Sequence, residues 1–570
     1  MHEGGEETTV FRGGTILTLN PEALAAQAVA VRGRRILAVG TEQDVLACAA
    51  GATVRDLQGD VLVPGFIDAH HHLSLAVLYG SALDCRPSLA PDIATLLSRV
   101  QAAASDVLEP DAWIVAKGFD ERQIREHRAP SAEELERASG GHPVMLMHYT
   151  YHVCVVSSRV LALLGIGRNT PDPPGGAIER NRRGQPTGLL VETAMASAES
   201  RAERELLLRD ATFESRLARH EDALFAAGVT RVADPTVSPQ LEELYERLRA
   251  SGQIRIPIVM LPVGQRGYLR LPEDRLVGRV TGEGTADQRI GSIKLFADGA
   301  DACAVAMSLG RAVRGFAGAL RGAVMDRRIA SLRALMRIRS RMEGLEVRTG
   351  IRFLTHDRVD PFARDAVERG YGIAIHAIGN EAFQDAVRLI EAVRSRHVDV
   401  PPPRIEHAFL VDKPWLRRAA DSGIQLVCQP SFLTFSEGGE SMIPDMTILP
   451  LRSALEAGLH VAGSSDFPVV DFQPLLGMDA AVTRRWADEP VIHEDEAITG
   501  DQALAMYTRE AARACGCLDE AGTLEVGKAA DLVRLSGDPR TVAGRAIRVV
   551  ETWVGGQCLS PRPVVPSAHP

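Results

Sequence analysis

Between residues 65 and 466 the apolar positions fall into short continuous runs. There are eight of them: GFIDAH (65–70), GVTRVAD (228–234), IRIPIVML (254–261), GSIKLFAD (291–298), YGIAIHA (371–377), RIEHAF (404–409), IQLVCQP (424–430) and LHVAGSSD (459–466). Most of these are apolar without alternation, as expected of parallel strands covered on both faces. Amphipathic stretches such as ESRLARHEDALFAAG and EAFQDAVRLIEAVRS separate several of them and read as helices. Eight strands alternating with helices predict an α/β fold, a (β/α)8 barrel over 65–517.

The two ends of the chain follow another rhythm. Residues 1–64 carry β-branched runs punctuated by Gly and Asp (AVAVRGRRILAVG, ATVRDLQGDVLVPG), and 518–570 do the same (GTLEVGKAADLVRLSG, AIRVVETWVGGQ). This is hairpin chemistry. It predicts one composite β-sandwich built from both termini. Residues 85–200 are too long for a single crossover and contain their own strand signals, AWIVAKG and PVMLMHY. They are expected to form an insert between the first and second barrel strands. A further stretch holds twelve Arg between 311 and 358 and no Lys. Within it RIASLRALMRIRSRM sets Ile329, Leu332, Leu335, Met336 and Ile338 on one side, the pattern of a helix with a solvated face.

Composition narrows the class. The chain has 570 residues, 64 Lys+Arg, 74 Asp+Glu and a formal charge of −10, with 45% hydrophobic residues. That is globular composition. The mild acidity gives no footprint for nucleic acid. No apolar run reaches the ~18 residues of a membrane span. The first twenty residues lack the apolar core of a signal peptide. The eight Cys are scattered without a CxxC pair, which points to a reduced, cytoplasmic setting.

In a barrel of this type chemistry sits at the C-terminal ends of the strands. Here the first run ends in His70, His71 and His72, the fourth carries Lys294, the fifth His376, the sixth His407, and the eighth ends in Asp466. In an extended strand His70 and His72 share a face while His71 points away. Imidazoles, a carboxylate and a modifiable amine on one rim suit a metal such as zinc, with manganese or iron as substitutes. Lys294, carbamylated by carbon dioxide, gains two oxygens able to bridge two ions. His376 and His407 would serve the second ion, and Asp466 the first. Any one of these residues alone reads as structural. Their joint placement is what carries the metal site.

At these residues the chain resembles the amidohydrolase superfamily, and within it the YtcJ-like branch that includes N-substituted formamide deformylases. The resemblance runs from VLVPGFIDAHHHL through DPPGGAIERNRRGQPTGLLVETA, IKLFADG, IAIHAIGN, RIEHAFL and GSSDFPVVDFQPL to GTLEVGKAADLV. It implies a deformed barrel with a side sandwich and ligands at His70, His72, Lys294, His376, His407 and Asp466, with carbamylation typical of binuclear members. Three departures stand out: Asn380 where relatives usually have Asp, Thr150-Tyr151-His152 where they often have Asp-Gly-His, and the Arg-rich stretch after Gly299, which does not follow the family pattern. The resemblance keeps His152 as a candidate facing the substrate.

The expected activity is hydrolysis of a C–N bond in a non-peptide amide, an N-substituted formamide or related N-acyl compound, by metal-activated hydroxide. Asp466 would move the proton and His152 or Tyr151 would assist the oxyanion. A decarboxylase or isomerase on the same site is the alternative, since fold and metal do not fix a reaction. An inert scaffold is the third reading, disfavoured because all six ligands are present. The partner is a small molecule, and a homodimer is compatible with the pattern. Phe432, Phe435 and Met442 are candidates for an apolar pocket. Two decoys are set aside: Gly522–Ala529 lacks the P-loop Ser/Thr, and Cys515-Gly-Cys517 has no second metal pair.

Overall fold

The computed structural model describes residues 7–559 apart from 107–108, 110, 174, 210–212, 265–275, 277, 300–302, 316, 318–339, 355–359, 398–400, 436–445, 486–489 and 542–545. All eight apolar runs contain strands: Phe66–Asp68, Val229–Val237, Ile258–Pro262, Ile293–Phe296, Ile373–Ala377, Arg404–His407, Gln425–Cys428 and His460–Gly463. They are called the first to eighth strands below.

The first three pair in parallel, with the short strand Gln288–Ile290 added beside the third. The fourth to eighth form a second parallel sheet in chain order. The two sheets touch at both edges. Val263, just past the third strand, bridges Lys294 of the fourth, and Gly264 N–H donates to Lys294 O at 3.0 Å. At the other edge Asp466 N–H donates to His70 O at 2.7 Å. Ile67, Ala233, Val259, Ala374, Val427 and Ala462, from strands of both sheets, pack into one buried cluster. Outside, helices such as Phe213–Ala226 and Asn380–Arg394 bury their apolar stripes against the strands.

Strands from both chain ends share one eight-stranded sheet, in which Leu532–Leu535 pairs with Val61–Pro64. Phe11, Val29, Leu62, Leu532 and Trp553 meet in its core. Gly33, with φ +54°, opens the two-residue turn of the hairpin Ala25–Arg32/Arg35–Gly40, a conformation that costs glycine little.

Between the first and second parallel strands lies a six-stranded sheet, from Leu83–Asp84 to Pro186–Glu192, with its own core. Helix Ala132–Ser139 within it opens on a capping box, Ser131 with Glu134, and closes on left-handed Gly140.

The Arg-rich stretch requires a correction. The end of the expected helix, Ser340–Met342, belongs instead to a strand, Ser340–Glu343, paired with Glu346–Thr349. Ile329, Leu332, Leu335, Met336 and Ile338 lie outside the described residues. Arg348 and Arg352 are committed to ion pairs with Glu381, and Arg352 also to Asp385, on helix Asn380–Arg394.

Candidate metal centre

The first strand ends at Asp68, so His70–His72 occupy the turn before helix Leu73–Leu78 rather than extended strand, which corrects the strand geometry expected for them. The alternation nevertheless survives. His70 and His72 face one cavity with ring centroids 5.3 Å apart. His71 turns the other way, its Nδ1 3.1 Å from Asp68 Oδ2 and its Nε2 2.9 Å from His220 Nε2.

Asp466, just past the eighth strand, meets the pair. Its Oδ1 lies 3.2 Å from Nε2 of His70 and 3.2 Å from Nε2 of His72. The donor atoms of His70, His72 and Asp466 fall within 4.8 Å of one another, close enough for a single ion. Lys294, His376 and His407 line the same cavity. The His376 and His407 rings are 4.5 Å apart, and His407 is 5.0 Å from His70. The three-residue group that could hold one ion does not include them.

Among the described residues, His70 Nε2, His376 Nε2 and Asp466 Oδ1 are buried without a hydrogen-bond partner. Buried polar atoms are normally paired. Three that open on one cavity, from nitrogen and oxygen donors, fit a divalent cation.

The outer groups aim the inner ones. Glu406 Oε2 binds His70 Nδ1, leaving Nε2 for the cavity. Arg404 holds both oxygens of Glu406 and donates to Ala69 O at 2.6 Å. Gln429 Oε1 lies 2.9 Å from His407 Nδ1, which frees the opposite nitrogen, and Phe432 stacks on the His407 ring at 5.8 Å. Asn380 is no ligand. Its amide bonds both backbone groups of Ala306 and donates to Asp412 Oδ2 at 2.7 Å.

Burial dominates the titration of the site. It pushes His72 down to about 4, His407 down to about 3 and His376 well below the usual imidazole range. Neutral imidazoles are the form that binds metal. Burial also brings Lys294 down to about 8, against the pull of Glu406 and Asp466. For Asp466, burial favours the neutral acid, but the close imidazoles of His70 and His72 prevail and hold the carboxyl well below its ordinary value.

The cavity has a volume of about 270 Å³. His152, in the turn before strand Val153–Val156, reaches its wall with Nδ1 2.9 Å from Glu192 Oε2 and its ring 5.8 Å from His376. Tyr151 precedes it in left-handed backbone, φ +59°, and also lines the wall. Phe432 is a wall residue as expected. Met442 and the side chain of Phe435 lie outside the described residues. The decoy cysteines, Cys515 and Cys517, are buried packing residues near Arg404 and Arg231.

Sequence reasoning missed Glu406, Gln429, Glu192 and Asp68. The RIEH string held a signal for the first: residues 404 and 406 share a strand face, so a buried Arg–Glu pair beside His407 was readable. The others had no local signal.

The amidohydrolase family profile matches residues 53–560. An N-substituted formamide deformylase of Arthrobacter pascens is 33% identical, over 95% of this chain and 96% of its own. A putative amidohydrolase, YtcJ, of Bacillus subtilis (strain 168) is 27% identical over 96% and 99%. Among solved structures, an uncharacterised metal-dependent hydrolase from Pyrococcus horikoshii superposes with a TM-score of 0.66 at 20% identity, over 95% of this chain and 99% of its own. No described helix is long and apolar enough to cross a membrane.

Proposed function

The chain belongs to the amidohydrolase family, and from that premise we propose that it hydrolyses the C–N bond of a non-peptide amide, an N-substituted formamide or a related N-acyl compound. One observation carries the reading: His70, His72, Lys294, His376, His407 and Asp466, on or just past five strands of the parallel series, line a single cavity. The parallel sheets form the deformed (β/α)8 barrel over 65–517. Support comes from the contacts at both sheet edges and from the shared inner cluster. A composite β-sandwich from 1–64 with 518–570 is supported by the sheet in which strands of both ends pair, and 85–200 would be the insert.

His70, His72 and Asp466 would hold one divalent ion, with zinc the best match to the donors. His376, His407 and a carbamylated Lys294 would hold a second. Such ions supply Lewis acidity that brings water's pKa towards neutrality and polarises a carbonyl. Asp466, kept ionised by His70 and His72, takes the proton of the attacking water and delivers it to the departing nitrogen. His152, paired with Glu192 through Nδ1, would as the imidazolium donate from Nε2 to the carbonyl oxygen as charge develops there. Phe296, Ile378 and Phe432 give the cavity an apolar wall that limits water. A cytoplasmic setting is consistent with the buried thiols of Cys85, Cys428 and Cys515, none of which forms a disulfide.

The test is to load purified protein with zinc, manganese or iron and incubate it with a panel of N-substituted formamides and bulkier N-acyl amines. Release of amine together with the carboxylic acid supports the reading. Release of carbon dioxide without amine would assign the site to decarboxylation instead.

A further inference from the structure

Asp466 sits in left-handed backbone, φ +58°, which a residue with a side chain seldom adopts. Its two neighbours are both gripped. On one side, Asp68 Oδ1 accepts from Ser465 N–H at 2.9 Å and from His70 N–H at 3.3 Å, while Asp68 Oδ2 accepts from the Ser465 hydroxyl. On the other side, Phe467 N–H donates to Ser465 Oγ at 2.9 Å, and His72 N–H donates to Phe467 O at 3.0 Å. A single buried carboxylate therefore binds the backbone amide of His70 and that of Ser465, the residue before Asp466.

Behind this hub stands a second layer. His71 Nδ1 lies 3.1 Å from Asp68 Oδ2, and His71 Nε2 lies 2.9 Å from His220 Nε2 on helix Phe213–Ala226. The Phe467 ring stacks on both imidazoles, at 5.3 Å and 5.2 Å, and Phe472 closes the group edge-on. Burial pushes His220 down to about 3, so this support is a neutral ring. His71, the member of the triplet that faces away from the cavity, thereby acquires a task.

We propose that Asp68 and Ser465 form a clasp that fixes the Asp466 carboxylate against His70 and His72, with His71 and His220 bracing it from behind. They are positioning residues for the metal site and for the proton transfer assigned to Asp466. The inference rests on the proposed function for its catalytic part. Its geometric part concerns only how well the three donors are held.

The experiment compares Ser465→Ala and Asp68→Asn with the wild-type protein in three measurements. These are zinc retention against a competing chelator, thermal melting, and kcat and KM on any amide that the wild type cleaves. The clasp predicts zinc retention weakened about tenfold or more. It also predicts kcat lowered with KM within about twofold, and Ser465→Ala melting close to wild type. If Asp68→Asn fails to fold, Ser465→Ala carries the test alone. Unchanged zinc retention in Ser465→Ala overturns the clasp while leaving the proposed function standing. So does a loss of zinc that only follows a fall in melting temperature. If no amide is cleaved but zinc retention drops as stated, the clasp survives and the assigned reaction falls. A wild-type protein that takes up no divalent ion overturns both.

Discussion

The backbone amide of Asp466 donates to the carbonyl of His70 at 2.7 Å, and His70 Nε2 in turn lies 3.2 Å from Asp466 Oδ1. One pair of residues thus joins the first and eighth strands of the parallel series and places a carboxylate on an imidazole. The backbone at Asp466 is left-handed, a conformation that costs on the order of 1–3 kcal/mol. Hydrogen bonds on both sides of it hold that geometry.

Asp466→Asn keeps the size and the backbone bonds but loses the base. Turnover is expected to fall by at least about 100-fold, with the melting temperature nearly unchanged. Steady-state kinetics beside thermal melting checks this, and near-normal turnover would remove Asp466 from proton transfer.

Glu406→Gln takes the charge from a carboxylate that is completely buried between Arg404 and His70. Among the described residues the guanidinium left behind is ion-paired with no other carboxylate, at an expected cost of about 3–5 kcal/mol. His70 also loses its orienting acceptor, so zinc affinity should drop about 10–100-fold. Urea melts and chelator competition measure the two effects separately.

Only the neutral amine of Lys294 reacts with carbon dioxide. Burial brings this lysine down to about 8, so the amine fraction rises as pH rises through that value. Zinc loading in the presence of bicarbonate is therefore expected to be higher at pH 8 than at pH 6. Lys294→Met should abolish the bicarbonate effect. Metal content after gel filtration decides; equal bicarbonate response in the variant would exclude the carbamate.

Glu510 joins the start of the eighth strand to helix Arg509–Ala514 through His460, with Arg509 and Arg513 alongside. Burial alone would raise its pKa, but these partners bring it down to about 2. A depressed carboxyl stabilises the fold above its unfolded value, and that stability is lost as pH falls from about 4.5 towards 2. Acid unfolding of Glu510→Gln should accordingly be shallower over this window than that of the wild type. Parallel acid titrations followed by circular dichroism give the comparison.

The strand pattern was legible because burial on both faces writes continuous apolar runs, and each of the eight runs holds a strand. Histidines at the ends of such runs were legible as well. Glu406 and His407 show the limit. Neighbours in a regular strand face opposite ways, yet Glu406 bonds His70 and the His407 ring lies 5.0 Å from it. The backbone turns left-handed at His407 (φ +75°) and again at Ala408 (φ +46°), which swings the second side chain inward. No residue preference announces such a turn, since neither position is glycine. Glu192 found His152 and Gln429 found His407 through contacts between segments distant in the chain.

By itself the sequence determined the parallel strands, the histidines, lysine and aspartate near their ends, and the β-rich termini that come to share a sheet, because local periodicity and residue chemistry are written position by position. Only the tertiary structure decided which nitrogen of His70 faces the cavity, why His71 does not, and how Asp466 is held against its partners. Those outcomes depend on hydrogen bonds between Asp68, Glu406 and Ser465 and groups on other strands, and such bonds exist only once the strands have packed.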